Sequence, residues 1–374
     1  MARMAEGLAG AGHEVRVLAA ATPKHPGGDR APAGIHAESV PVDTSVRPLR
    51  LAVSLASRAP YATARFASAP LAARLEALLG AERWDVVQLE GLGVYPLARR
   101  VRALSRARLV VRAHNVEHAL FRERASRAAS PLAAAFLRLE ARRVAHLERQ
   151  TWSLAHGVAA IAPEVARACA AAVRVPVATI PVGVEVPDAP PAPGDPSDVL
   201  HLAAMDWWPN REGLEWFLAE AWPRVRRERP SARLRLAGRG MTGFARGRSW
   251  PGVAVEGEVP DAAAFLRSSP VVVVPLLSGS GVRVKVVEAM ALGRAVVATP
   301  RAAEGLGRIE PGRHLLLGDG PDALAAGLVR ALADPGLAAR LGEAAWLLAR
   351  ERFSAPAVAR AVDSLYHSLP SEAA

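Results

Sequence analysis

Short apolar runs and amphipathic stretches alternate along most of this chain, and their periods predict a repeating order of helices and strands. The first twenty residues, "MARMAEGLAGAGHEVRVLAA", read as a helix stopped by Gly10 and Gly12 and followed by a strand over Val15–Ala19. Residues 22–60 are rich in proline, arginine and polar groups without a clear period, so a long loop is expected there, with a helix near 61–80. "WDVVQLEG" (84–91) and "RLVVRAHN" (108–115) are apolar runs closed by polar residues. Such runs predict buried parallel strands with functional groups at their carboxyl ends. One long helix is expected over 131–156, ending near Gly157, then a strand over Val158–Ile161 and a helix over Pro163–Ala172.

The prolines of "VEVPDAPPAPGDPSD" (184–198) fit neither a helix interior nor a central strand, and they mark a linker. Beyond it, strands near 199–204, over Arg233–Ala237, near 253–256, over Val271–Val274 and over Ala295–Ala298 alternate with helices near 211–228, 261–268 and 282–292. Alternation of this kind implies parallel sheets covered by helices on both faces. The expected fold class is α/β: two doubly wound, Rossmann-like domains facing a central cleft, over 1–183 and 199–350, with a last helix in 351–374 crossing back to the first.

A length of 374 residues suffices for two such cores. No stretch approaches the roughly 20 apolar residues of a membrane-spanning helix. The net charge of +11 raises the question of nucleic acid, but the 47 basic residues are spread along the chain and all but Lys24 and Lys285 are arginine. That is a compositional bias, so no nucleic-acid partner is expected, while loose attraction to anionic lipid headgroups remains open. The one cysteine, Cys169, excludes an internal disulfide and a cysteine metal site and fits a reducing cytoplasm. The first residues lack the basic and apolar segments of a signal peptide. The alternation starts inside a helix, so a preceding strand and turn are expected upstream.

The chemistry gathers in "SGSGVRVKVVEAMALG" (278–293), a glycine turn after Val271–Val274 that leads into a helix with Arg283 and Lys285 at its start. A helix N-terminus already carries about half a positive charge and prefers acidic neighbours. Two cations there make sense if an anion joins them. In a doubly wound sheet a glycine turn at a strand's carboxyl end exposes N–H groups to phosphate, and Gly279 and Gly281 permit close approach. Glu288 follows Lys285 by three residues and shares its helix face. A carboxylate so placed can accept both hydroxyls of a ribose. The plainer alternative is a glycine turn followed by ordinary surface charges.

The stretch "GVRVKVVEAMALGRAVVATPRAAEGL" resembles the donor-site signature of retaining glycosyltransferases of family 4, or group 1, whose fold is called GT-B. "GHEVRVL" (12–18), "AHNVEH" (113–118), "PVGVEV" (181–186), "LAAMDWWPNREGLEWFLAEAWPRV" (202–225), "LRLAGRG" (234–240) and "GEVPD" (257–261) follow in the family's order, and "MDWWPN" points to a subgroup with an MDWxPN motif. The resemblance implies that Arg283 and Lys285, with the backbone of Gly279, Ser280, Gly281 and Val282, bind the donor diphosphate, that Asn210 and Arg211 lie near the phosphates, and that Glu288 binds the ribose. Gly238 and Gly240 would bring a loop close to the nucleotide, and residues 258–261 would face the base. Trp207 and Trp208 are equally well read as packing residues. His114 corresponds to the family's histidine near the transferred sugar, with Asn115, Glu117 and His118 near acceptor or sugar. Ser280 stands where many members carry a first glutamate, seven residues before Glu288. Members also begin with a strand and a glycine loop, which suggests a start codon assigned too late.

The implied activity is metal-independent transfer of a hexose from a nucleoside diphosphate sugar to a hydroxyl, with retention, in polysaccharide or glycolipid assembly. No cofactor and no metal is expected. The implied partners are the nucleotide sugar and a sugar or lipid-linked sugar acceptor, in the cytoplasm or at the inner face of the membrane. A non-catalytic nucleotide-sugar-binding protein is the alternative. A phosphorylase of the same fold would need a pyridoxal-bearing lysine, for which Lys24 lies in a poor loop, and an epimerase lacks support from "MDWWPN" and "GVRVK".

Overall fold

The computed structural model describes the chain apart from residues 1, 24–26, 28–33, 46–53, 55–58, 191, 193–196, 280 and 371–374, so Lys24 and Ser280 lie outside the described residues. Contacts divide the chain into two compact units, Met1–Pro181 with Val358–Ala374, and Val182–Ala357.

In the first unit, helix α1 (Ala2–Gly10) leads into β1 (Val15–Ala21), which pairs in parallel with β2 (Ile35–Pro41) as a sheet of its own. Strand β2 falls where a loop is expected. Its side chains are largely solvated apart from buried Ile35, so the strand lacks the apolar run by which a buried strand is read from sequence. Helix α2 (Ala69–Ala81) is capped by the Ser68 hydroxyl. A second parallel sheet runs β3 (Val86–Glu90), β4 (Arg108–Ala113), β5 (Gly157–Ala160), β6 (Val177–Thr179), in that order. Between β4 and β5 lie α3 (Glu117–Ser126) and α4 (Pro131–Leu154), and α5 (Pro163–Ala172) follows β5. Val110 and Ala159 of this sheet pack with Met4 and Leu8 of α1 and with Val358, Val362 and Leu365 of the last helix, Ala355–Ser368.

The second unit holds a six-stranded parallel sheet of β7 (Asp198–Leu202), β8 (Arg233–Ala237), β9 (Val253–Gly257), β10 (Val271–Val274), β11 (Ala295–Ala298) and β12 (Leu316–Leu317), in the spatial order β12-β11-β10-β7-β8-β9. Alternate residues enter opposite cores: Val271 and Val273 pack on one face, Val272 and Val274 on the other. Each fully buried valine stabilises the fold by about 1.5–3 kcal/mol, which explains four consecutive valines in a central strand. Helices α6 (Trp208–Trp216), α7 (Val284–Ala291), α8 (Pro321–Ala333) and α9 (Pro335–Arg352) cover the sheet. Both units are thus Rossmann-like, the second doubly wound, and the chain is α/β.

The strand order reverses at β7. From there the chain steps outward to β8 and β9, then returns to β10 on the other side, so β7 and β10 flank the switch point where such sheets open a crevice. Their ladder covers only Val199–Leu200 against Val271–Val272. One residue further on, the His201 imidazole takes over and donates from Nδ1 to the Val273 carbonyl at 3.1 Å. The strands therefore part at their carboxyl ends, and the loops that leave them define the crevice.

Helix α6 packs tightly across this opening at Gly213, where a β-carbon would run into the Pro275 carbonyl. Alanine in a helix interior usually gains about 1 kcal/mol over glycine. Here overpacking, at about 1–3 kcal/mol, should outweigh the gain. G213A is expected to lower the midpoint of urea unfolding, and an unchanged or raised midpoint would show that α6 is not clamped on β10.

Candidate functional site

The loop after β7 carries Met205 to Asn210 into α6. Met205 N–H bonds the Arg239 carbonyl at 2.8 Å, and Ala203 N–H bonds Ala237 at 3.0 Å, which ties this loop to the exit of β8. Gly238 and Gly240 serve that junction with φ of 129° and 76°. A β-carbon on Gly238 would strike the Ala203 carbonyl, so only glycine lets the two loops lie together.

The loop after β10 runs through Ser278, whose hydroxyl bonds Glu212, to Gly279 and Gly281 at φ of 89° and 84°. Gly279 lies against Trp207 and Pro209, where a β-carbon would stand 3.1 Å from the indole. Val282 and Gly281 are half-buried, and the Arg283 guanidinium packs over the same Trp207 ring, 5.5 Å from its centroid. Trp207 is 37% exposed, so it walls the crevice rather than filling the core.

Arg283 is the N-cap residue of α7 and is itself buried, and its side chain makes no capping hydrogen bond to that helix. Lys285, the second residue of α7, donates from Nζ to Asn210 Oδ1 at 2.6 Å, while Asn210 Nδ2 donates to the Ala204 carbonyl at 2.8 Å. Asn210 thus holds the lysine, with its amide fixed at both ends. Burial and then the neighbouring Arg283 push the Lys285 ammonium down to about 7. A bound anion would favour the charged form and raise that value again. Glu288 is solvent-exposed one helical turn along, yet enough protein surrounds its carboxyl to raise its pKa. Arg211 is exposed and lies over the Phe244 ring at 5.9 Å.

His201, buried beneath this group, is pushed down to about 3 by burial and by Lys285, against the opposing hydrogen bond to Val273. It is a neutral imidazole that supports the switch point. A histidine inside an apolar run gave no signal of such a role.

In the first unit, β3 ends at Glu90 and β4 at Ala113, and the next residue, His114, bonds Glu90 Oε2 through Nε2 at 2.9 Å. Gln88 Nε2 donates to Glu90 Oε1 at 2.6 Å, and buried Arg112 lies 3.6 Å away. Burial raises the Glu90 pKa, but His114, Arg112 and Gln88 together outweigh it, so the carboxyl stays ionised below its ordinary range. Asn115 donates to Glu117 at 3.1 Å. Helix α3 has no capping side chain of its own; the buried Glu148 of α4 accepts the N–H groups of Glu117 at 2.7 Å and His118 at 3.3 Å, and the His118 ring at 2.6 Å. An anion at a helix start satisfies both its free donors and its dipole. Neither Glu90 nor Glu148 is singled out by the sequence, because each meets its partners through the fold.

No curated protein matches the chain by sequence. Among solved structures it is similar to sucrose-phosphate synthase from Thermosynechococcus elongatus, with a TM-score of 0.68 and 20% identity over 98% of this chain and 91% of that one. It is similar also to Anabaena HepE in complex with UDP-glucose, with a TM-score of 0.63 and 15% identity over 95% of this chain and 100% of that one. S. aureus TarM aligns with a TM-score of 0.62 and 18% identity over 81% of this chain, which spans 58% of TarM. Residues 1–183 match the family described as Glycosyl transferase 4-like domain, and residues 196–334 the family described as Glycosyl transferases group 1. Residues 1–183 therefore belong to the first of these glycosyl transferase families and residues 196–334 to the second, and the fold is GT-B.

Proposed function

We propose that the chain transfers a hexosyl group from a nucleoside diphosphate sugar to a hydroxyl acceptor, with retention of anomeric configuration. The observation that carries this reading is the lysine held by Asn210 beside buried Arg283, at a helix start behind two left-handed glycines. A diphosphate would meet both cations and the helix N-terminus at once. Arg283, Lys285 and the N–H groups of the glycine loop take the phosphates, Glu288 takes the ribose hydroxyls, and the loop at Gly238 and Gly240 borders the nucleotide. The HepE structures hold UDP, glucose and UDP-glucose, which supports a nucleoside diphosphate hexose as donor.

As the glycosidic bond breaks, its electron pair stays with the diphosphate, and charge grows where the two cations and the helix N-terminus are already aligned. Preorganised cations do this without a metal. The leaving phosphate oxygen takes the acceptor's proton as the new bond forms, so no separate protein base is needed. His114 orients the transferred sugar.

The acceptor class we favour is a sugar or lipid-linked sugar presented at an anionic membrane surface in the cytoplasm, in polysaccharide or glycolipid assembly. Support comes from α4, whose glutamates are buried while Arg138, Arg142 and Arg149 are exposed at spacings that put them on one helix face. No described helix is long and apolar enough to cross a membrane, so association would be peripheral.

Three measurements check this reading. K285A should keep the thermal midpoint of a folded protein and cut turnover at least about tenfold; unchanged turnover would remove the phosphate role. Flotation with vesicles containing anionic lipid should carry the chain upward and lose it when Arg138, Arg142 and Arg149 become glutamate, whereas no flotation at all would exclude membrane presentation.

The third concerns pH. Lys285 titrates at about 7 without ligand, and a bound diphosphate must raise that value by favouring the charged form. Affinity is then fully present below about 7 and falls by up to about tenfold per pH unit as pH rises toward the value in the complex. Calorimetry at pH 8 in buffers of different ionisation enthalpy should show proton uptake on binding UDP, and K285M should show none. Equal heats in all buffers would contradict the site.

A further inference from the structure

A chain of hydrogen bonds runs from the last helix to His114, and its donors and acceptors admit one assignment. Tyr366 Oη donates to Gln88 Oε1 at 3.0 Å. Burial raises the Tyr366 pKa, so the phenol keeps its proton and acts as the donor. With its oxygen occupied, the Gln88 amide turns its NH2 toward Glu90 Oε1, at 2.6 Å. Glu90 is ionised, with Arg112 3.6 Å from the same Oε2 that meets His114, and an ionised carboxylate only accepts. His114 Nε2, 2.9 Å away, must then carry the proton.

The other ring nitrogen follows by elimination: in the neutral ring Nδ1 is a bare lone pair. It is left uncovered by Gly91, the residue after Glu90, where a β-carbon would stand 3.9 Å from it. Gly91 has φ of 84°, so the turn itself selects glycine at that place. The His114 side chain is 35% exposed, against 16% for Glu90, so the ring presents an accessible edge above a sequestered carboxylate.

We propose that Glu90 is a positioning residue that fixes His114 in the tautomer with the proton on Nε2, so that Nδ1 accepts a hydrogen bond from a substrate hydroxyl, and that Gln88 and Tyr366 hold Glu90 in place. The assignment of His114 to a substrate rests on the transferase reading; the tautomer does not. Sequence gives no pointer to the arrangement, since Tyr366 lies 278 residues from Gln88.

The test is nitrogen-15 correlation spectroscopy of the full chain in alkaline buffer, combined with steady-state kinetics. Wild type should show His114 with Nε2 protonated and Nδ1 bare. E90Q should show both tautomers, because an amide can donate to the ring or accept from it. In transfer assays E90Q should lower kcat roughly 10- to 100-fold, the range seen when a partner behind a working group is lost, with little change in the KM of the donor. Since E90Q also leaves buried Arg112 without its counter-charge, Y366F is the second variant: it keeps every charge, so His114 should stay protonated on Nε2, while loss of the Tyr366 hydrogen bond loosens Gln88 and Glu90 and should lower kcat by a smaller factor. A protonated Nδ1 in wild type, one unchanged tautomer in E90Q, or an unchanged kcat in both variants would overturn the proposal. If wild type transfers no sugar while the tautomer shifts as stated, the transferase reading fails and the positioning of His114 stands.

Discussion

Strands β7 and β10 pair over two residues each and then separate, and the chemistry of the second unit depends on that separation. A parallel sheet buried on both faces offers no polar surface except at its ends, so a ligand can meet backbone groups only where neighbouring strands stop bonding each other. His201 closes the last gap by bonding the Val273 carbonyl, and it does so as a neutral ring, which spares the site a third positive charge beneath Lys285 and Arg283. Gly213 and Gly238 then let α6 and the β8 loop lie against the exits of β10 and β7. The result is two neighbouring cations, Arg283 and Lys285, at a helix start where the loops from β7 and β10 meet.

The lysine shows how closely packing and chemistry are joined. Asn210 fixes it in place with an amide that is itself fixed by Ala204, and desolvation brings its titration near neutrality. A solvated lysine in the same loop would hold its proton and lose orientation. In the first unit the logic is reversed: anions are buried and used as anchors. Glu148 caps α3 and holds His118, and Glu90 holds His114. Burying a carboxylate is costly unless hydrogen bonds or a cation offset it: Glu148 has two backbone N–H groups and the His118 ring, and Glu90 has Arg112 beside its hydrogen bonds.

Much of the sheet in the second unit was legible in the sequence. Val271–Val274, Ala295–Ala298 and Arg233–Ala237 are strands over the residues expected, because β-branched and apolar runs bounded by glycine or proline have few other solutions. Strand β2 was not legible, since a strand left mostly in solvent carries no apolar run. Helix α3 was not assigned either: its sequence has little periodicity, and what starts it is Glu148, 31 residues away. Among candidate site residues, the glycines with Arg283 and Lys285 stood out because cations at a helix start oppose the local dipole. Asn210 was expected beside phosphate, and the structure adds that its amide is engaged by Lys285. Glu90, His201 and Tyr366 were invisible, since nothing in their neighbours along the chain distinguishes them from ordinary polar residues.

The central claim is that the loops leaving β7 and β10 hold a nucleoside diphosphate. Backbone hydrogen exchange of the full chain, with and without saturating UDP, GDP or ADP, addresses it directly. One of the three should slow exchange in residues 203–211, 278–279 and 281–288 while leaving the amides of β8 and β11 as they were. Binding with protection elsewhere, or protection by none of the three, would contradict the account.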